Sequence, residues 1–158
     1  MRISKVATLK ASGRAQNQYE TVSSPRILVV DDNHDTRQLC VNLLVDFGYE
    51  VEAAADGAAG WEAIQINHYD LIVTDNKMPK MTGIEMLKKI RSTHKLVPVI
   101  MATGDLPTQV FRRKPWLQPD ASLQRPFSLG DLLATIKKVL RRDDSYNAHL
   151  KMLLPANS

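Results

Sequence analysis

Cysteine is nearly absent from this sequence, since Cys40 is the one cysteine among 158 residues. A lone thiol excludes a disulfide or a cysteine metal cluster within the chain, so a reducing cytosol is the expected compartment. Aromatic residues are scarce as well, at two Trp, four Tyr and three Phe, which predicts an aliphatic core. No apolar run reaches the roughly 18 residues that indicate a membrane span, and we expect none.

An excess of one charge is also missing from the centre of the chain. The net charge of +4 arises largely in residues 1–25, where four basic residues and one acidic residue, Glu20, give +3. Residues 26–142 hold sixteen basic and fourteen acidic residues and are close to balanced. We therefore expect no direct binding to nucleic acid.

Three segments follow from composition and periodicity. Residues 1–24 are polar and basic without sustained periodicity, which predicts a disordered N-terminal extension. Residues 25–142 form one folded domain, and residues 143–158 are expected to be a short C-terminal tail. Strand-like runs and helical patterns alternate five times in the domain, which predicts a parallel α/β sheet with helices on both faces.

The first helix should be capped by Asn33 or Asp35, and its apolar face should comprise Leu39, Leu43, Leu44 and Phe47.

Polar side chains follow four of the predicted strands, at the point where each strand ends. Asp31 and Asp32 come after the first strand, Asp75 after the third, Thr103 after the fourth and Arg125 after the fifth. Because open α/β sheets bind ligands at the carboxyl ends of their strands, we expect these groups to share one crevice. Helix capping would explain one of the three acids but not all of them. Three carboxylates favour Mg²⁺.

This combination of groups is suited to phosphoryl transfer. A cation, the Thr103 hydroxyl and the Arg125 guanidinium would each hold one phosphoryl oxygen, and Asp75 would be the nucleophile that forms an acyl phosphate. The chain lacks a Gly-rich phosphate loop of the form G-x-x-x-x-G-K-[ST], so we do not expect it to use ATP directly.

Four motifs in order make residues 25–142 resemble the receiver domain of two-component response regulators. They are V-V-D-D at 29–32, D-x-x-M-P-x-x-x-G at 75–83, A-T-G at 102–104, and a basic residue before Pro-Phe at 125–127. The resemblance implies the flavodoxin-like (βα)5 fold, a doubly wound parallel five-stranded sheet of order 2-1-3-4-5.

The resemblance also implies residue roles. Asp75 would be the phosphoacceptor, and Mg²⁺ would be held by Asp32 and Asp75 directly, by Asp31 through water and by the main-chain carbonyl of Lys77. Thr103 would be the switch hydroxyl. The donor would be a phosphohistidine on a sensor histidine kinase or a phosphotransfer protein.

Two positions depart from the family pattern. Arg125 replaces the usual lysine, and Ser122 stands where an aromatic residue is common; a planar guanidinium is not equivalent to an ammonium. We expect a cytoplasmic, single-domain response regulator that is not an enzyme and signals by protein contact through residues 105–127 and the last helix. The alternative is a phosphorylation-independent interaction module. A phosphatase of the haloacid dehalogenase type would need an acid where Lys77 stands.

Overall fold

The computed structural model describes residues 3–8, 18–93 and 95–153. Strands and helices alternate along most of this range. In chain order they are β1 Ile3–Thr8, β2 Gln18–Ser23, β3 Arg26–Val30, α1 His34–Asp46, β4 Glu50–Ala54, α2 Gly57–Ile66, β5 Leu71–Thr74, α3 Gly83–Ser92, β6 Val99–Thr103, α4 Thr108–Arg113, a 3₁₀ helix Pro115–Leu117, β7 Ala121–Gln124 and α5 Leu129–Leu153.

Strands β3 to β7 form one parallel sheet of order β4-β3-β5-β6-β7. Counted within the sheet, this is the predicted order 2-1-3-4-5, and the flavodoxin-like fold is confirmed. The register places Val30 beside both Ala54 and Thr74. The neighbouring strands β3 and β5 therefore end level with each other, and the residues that follow them emerge at the same point of the sheet edge.

The sheet separates two apolar layers. Leu28 and Val30 face a cluster with α2, α3 and α4, whereas Ile27 and Val29 face a cluster with α1 and α5. Strand β3 is thus buried on both faces, which explains its uninterrupted aliphatic sequence. The single cysteine, Cys40, is a packing residue whose side chain lies in the second cluster.

The inward face of α1 differs from the prediction. Cys40 and Leu44 are buried, whereas Leu39 is 52% and Phe47 is 54% exposed. Leu39 precedes Cys40 by one residue and is therefore rotated about 100° around the helix axis. Phe47 lies beyond the last helical residue as the C-cap. At the other end, Asn33 is the N-cap, and its side chain accepts a hydrogen bond from the Thr36 N–H at 3.0 Å.

The two terminal segments also differ from the expectation. Strands β1 and β2 form an antiparallel pair, so the expected disordered extension over 1–24 contains regular structure; residues 1–2 and 9–17 lie outside the described residues. β-Branched residues are frequent in both strands and favour extended backbone. At the other end, α5 continues to Leu153 instead of giving way to a tail at 143, because neither Gly nor Pro interrupts residues 131–153. None of the helices in the described ranges combines the length and hydrophobicity needed to cross a membrane.

Candidate functional site

Three aspartates meet at the carboxyl edge of the sheet. Asp31 and Asp32 follow β3 and Asp75 follows β5, and one carboxylate oxygen of each lies within 4.8 Å of the others. The Asp75 N–H continues the sheet ladder by donating to the Val30 carbonyl at 3.0 Å. Asp31 is buried, Asp75 is half-buried and Asp32 is exposed. The convergence predicted from the strand ends is therefore present.

Backbone amides fix two of these carboxylates. The Asn33 N–H donates to Asp31 Oδ1 at 2.9 Å, and the Asn76 N–H donates to Asp75 Oδ1 at 2.7 Å. Each donor belongs to the turn that follows its strand, so the same backbone that ends the strand also orients the acid. Arg37 donates to the main-chain oxygen of Asp31 at 2.7 Å and leaves the Asp31 carboxylate to other partners.

Arg125 enters the same crevice from the end of β7. One guanidinium nitrogen lies 2.6 Å from Asp31 Oδ2, and the other terminal nitrogen lies 3.6 Å from Asp75 Oδ2. The backbone N–H of Arg125 donates to the Thr103 carbonyl at 2.9 Å, which anchors the residue beside β6. Burial alone would lower the pKa of Arg125, but the hydrogen bond to Asp31 and the charges of Asp31 and Asp75 raise it overall. The guanidinium therefore stays charged.

Thr103 ends β6 with a buried side chain. Its hydroxyl oxygen accepts a long hydrogen bond from the Asp105 N–H at 3.4 Å. The Asp105 carboxylate in turn pairs with the exposed Lys77 ammonium at 2.9 Å, and this hydrogen bond and charge raise the pKa of Lys77. Sequence reasoning missed Asp105, although its position two residues after Thr103 mirrors that of Lys77 after Asp75. The ligand role of the Lys77 carbonyl stays a prediction, and Ser122 is exposed on β7.

The loop after Asp75 is folded tightly against α3. The Asn76 carbonyl accepts from the Gly83 N–H at 2.9 Å, and the Asn76 side-chain oxygen accepts from the Ile84 N–H at 3.1 Å. A Cβ at position 83 would lie 2.2 Å from the Asp75 carbonyl oxygen. Only glycine permits this approach, which accounts for the glycine of the 75–83 motif.

An ion pair between Asp56 and Lys80, which the sequence did not predict, also holds the same loop in place. Asp56 is the N-cap of α2 and accepts from the Ala59 N–H at 2.8 Å. Its other oxygen lies 3.6 Å from the Lys80 ammonium. Lys80 has a φ of 67°, so the ion pair depends on a left-handed turn that no local sequence signal at Lys80 indicated.

The donor set fits a hard divalent cation. Three carboxylates, one of them exposed to solvent, offer the oxygen ligands that Mg²⁺ prefers. The Arg125 guanidinium lies against two of these carboxylates, and Thr103 ends β6, the strand beside β5. The arrangement therefore suits a cation and a phosphoryl group side by side.

These features define a flavodoxin-like α/β domain with an acidic site at the carboxyl edge of its sheet. Residues 27–137 match the family model of the response regulator receiver domain, and the chain belongs to that family. Receiver domains bind Mg²⁺ in an acidic pocket and interact with histidine kinases or phosphotransfer proteins. The resemblance drawn from the four motifs is confirmed.

Individual relatives agree with this assignment. Response regulator MprA of Mycobacterium sp. (strain KMS) is 37% identical over 119 residues, which are 74% of this chain and 51% of the relative. The CheY-like receiver domain protein of Methanospirillum hungatei JF-1 is 31% identical with a TM-score of 0.74, over 78% of this chain and 99% of that one. TrrA of Thermotoga maritima, solved in complex with Mg(2+)-BeF, is 30% identical with a TM-score of 0.64, over 73% of this chain and 98% of that one. The chain spans about half the length of the curated relatives it matches.

Proposed function

We propose that Asp75 accepts a phosphoryl group from a phosphohistidine of a sensor histidine kinase or phosphotransfer protein. The observation that carries this proposal is the convergence of Asp75 with Asp31, Asp32 and Arg125 in one crevice. A carboxylate oxygen of Asp75 forms the new O–P bond while the N–P bond of the phosphoimidazole breaks. The bonding electrons return to the ring nitrogen, which takes a proton from solvent.

The other groups have separate tasks in this proposal. Mg²⁺, held by Asp31, Asp32 and Asp75 with the Lys77 main-chain carbonyl as a further ligand, would supply positive charge that offsets repulsion between the acceptor carboxylate and the phosphoryl oxygens. The guanidinium N–H groups of Arg125 donate hydrogen bonds to one phosphoryl oxygen. The Thr103 hydroxyl gives up its long contact with the Asp105 N–H and turns to donate to another.

Signalling would then proceed by protein contact in the cytoplasm, through residues 105–127 and the last helix, without direct binding to nucleic acid and without enzymatic turnover of a substrate. Residues 105–127 begin next to Thr103 and carry the exposed side chains of Arg112, Arg113 and Lys114. Trp116 is 54% exposed beside them, whereas Phe111 is buried in the core. Exposed Trp and Arg side chains are enriched at protein interfaces. Single-domain organisation stays a prediction.

The second candidate is an interaction module that works without phosphorylation. Ser122 favours it, because an exposed hydroxyl on β7 cannot fill a space vacated when Thr103 moves. In such a module Arg125 would pair permanently with Asp31 and Asp75. The two candidates differ in whether Asp75 is ever modified.

Acetyl phosphate with Mg²⁺ separates the two candidates. The intact protein should gain the mass of one phosphoryl group, and Asp75→Asn should abolish the gain. Asp105→Asn is the matched control, since it makes the same chemical change just outside the aspartate cluster and should still be labelled. An unmodified wild-type protein, together with failure to bind beryllofluoride, would favour the interaction module.

A further inference from the structure

Arg125 occupies the oxygens that the backbone leaves open on two of the three aspartates. On Asp31, Oδ1 accepts from the Asn33 N–H and Oδ2 accepts from Arg125. On Asp75, Oδ1 accepts from the Asn76 N–H and Oδ2 faces the second terminal nitrogen of the same guanidinium. Each of these two carboxylates therefore already has a partner at both oxygens.

Asp32 is the exception in the cluster. Its side chain is exposed, and within the described residues its carboxylate makes no hydrogen bond or ion pair. A cation arriving from solvent would therefore meet Asp32 first. A cation that reaches Asp31 or Asp75 as well must share their oxygens with the Arg125 guanidinium or displace it.

We propose that Arg125 is an internal counter-ion that competes with the divalent cation for Asp31 and Asp75, and thereby sets the cation affinity of the site. The inference rests on the proposed function, because it concerns the same cluster. Two effects act together: the guanidinium and the cation compete for the same carboxylate oxygens, and the positive charge of the guanidinium remains beside the incoming cation.

The shape of the side chain matters as much as its charge. A guanidinium presents two separated donors and spans both carboxylates, whereas a lysine ammonium is a compact point charge that can leave one of them free. The Arg125 side chain is 31% exposed, and the backbone N–H of Arg125 donates to the Thr103 carbonyl, which fixes the main chain of the residue at the crevice. A guanidinium displaced from Asp31 or Asp75 would therefore stay close enough to contact an anion bound beside the cation.

Binding of Mg²⁺ alone, without any phosphoryl donor, tests the inference. Isothermal titration calorimetry gives the affinity, and the NMR shifts of the Asn33 and Asn76 amides report directly on Asp31 Oδ1 and Asp75 Oδ1. Arg125→Gln should bind Mg²⁺ about tenfold more tightly or better, which is the effect of one adjacent positive charge even at water-like screening. Arg125→Lys keeps the charge but loses the fork, and should lie between wild type and Arg125→Gln.

Arg37→Gln is the matched control, because Arg37 contacts the Asp31 main-chain oxygen instead of its carboxylate. It removes the same charge without freeing a ligand oxygen, and we expect a gain below about threefold. Thermal melts establish that each variant is folded; should Arg125→Gln unfold, the comparison of Arg125→Lys with wild type decides.

The outcomes separate the inference from the proposed function. Equal Mg²⁺ affinity in wild type and both Arg125 variants would overturn the inference while leaving the magnesium site in place. A gain in Arg37→Gln as large as in Arg125→Gln would also overturn it, because the effect would then be general electrostatics. Failure of every variant to bind Mg²⁺ would overturn both.

Discussion

Replacing Gly83 with alanine tests how closely α3 must approach the phosphoacceptor loop. The new Cβ would lie 2.2 Å from the Asp75 carbonyl oxygen and 3.0 Å from the Asn76 Cα. Both atoms belong to the backbone, so no side-chain rotation relieves the overlap. The loop and the first turn of α3 must separate, although hydrogen bonds from the Gly83 and Ile84 N–H groups to Asn76 hold them together.

The magnitude follows from these contacts. Forcing extra atoms into a tightly packed site typically costs about 1–3 kcal/mol, and weakening the two hydrogen bonds to Asn76 adds roughly 1 kcal/mol. We therefore expect Gly83→Ala to lower the free energy of unfolding by about 2–4 kcal/mol. Because the displaced atoms include the Asp75 carbonyl, beryllofluoride binding should weaken in the molecules that remain folded.

Urea unfolding at neutral pH measures the loss, with two other glycines as controls. A Cβ at Gly60 would meet side-chain tips, the Met86 sulfur at 3.0 Å and a Val30 methyl group at 3.0 Å, so Gly60→Ala should cost less. A Cβ at Gly104 has nothing within 4 Å, and Gly104→Ala should cost nothing. A Gly83→Ala protein as stable as Gly104→Ala would refute the claim that this contact constrains the loop.

Three further predictions concern stability. Tyr69→Phe removes the buried hydroxyl that donates to Glu52 and should cost about 1 kcal/mol in urea; an unchanged midpoint would contradict this. The hydrogen bond from Tyr69, together with Arg26, lowers the pKa of Glu52 against the opposing effect of burial. The stabilisation that Glu52 gains from these partners is therefore complete above the usual pKa of 4.5 and is lost as the pH falls through the lowered pKa. Tyr69→Phe should consequently lose less of its free energy of unfolding on acidification than the wild type does. Asp56→Ala should cost about 1 kcal/mol through the lost N-cap, whereas Asp56→Asn keeps the cap and should cost clearly less; equal losses would assign the effect to the ion pair instead. Truncation after residue 142 should reduce the helical circular dichroism signal but hardly move the urea midpoint, because most large apolar side chains of 143–153 are exposed; a large shift would mean that this segment packs on the domain.

The sequence predicted the acidic site because each acid directly follows an aliphatic strand. Parallel pairing then does the rest, since Val30 and Thr74 are partners in register and the next residues are Asp31 and Asp75. Arg125 was predictable on the same grounds, as the residue that follows β7. These residues depend only on where strands end, which hydrophobic periodicity indicates well.

Contacts between loops were not predictable in the same way. The pairing of Lys77 with Asp105 joins two turns whose relative position is set by tertiary packing, and the pairing of Lys80 with Asp56 needs a left-handed residue that is not glycine. The end of α5 was missed for a different reason. A tail was expected from residue 143, but helices end at residues with low helix propensity such as Gly or Pro, and the described part of α5 contains neither after Gly130.

The acidic cluster explains why a positive group must be built into this edge of the sheet. Two carboxylates within 4.8 Å of each other repel by roughly 3 kcal/mol at the effective dielectric of a protein surface, and burial of Asp31 increases this cost. Neighbouring amide groups offset part of it, but they carry no net charge. Arg125 supplies the missing charge from within the chain, so the site can be folded before a cation arrives. A group that stabilises the site without a cation must also oppose cation binding, since both effects arise from the same two oxygens.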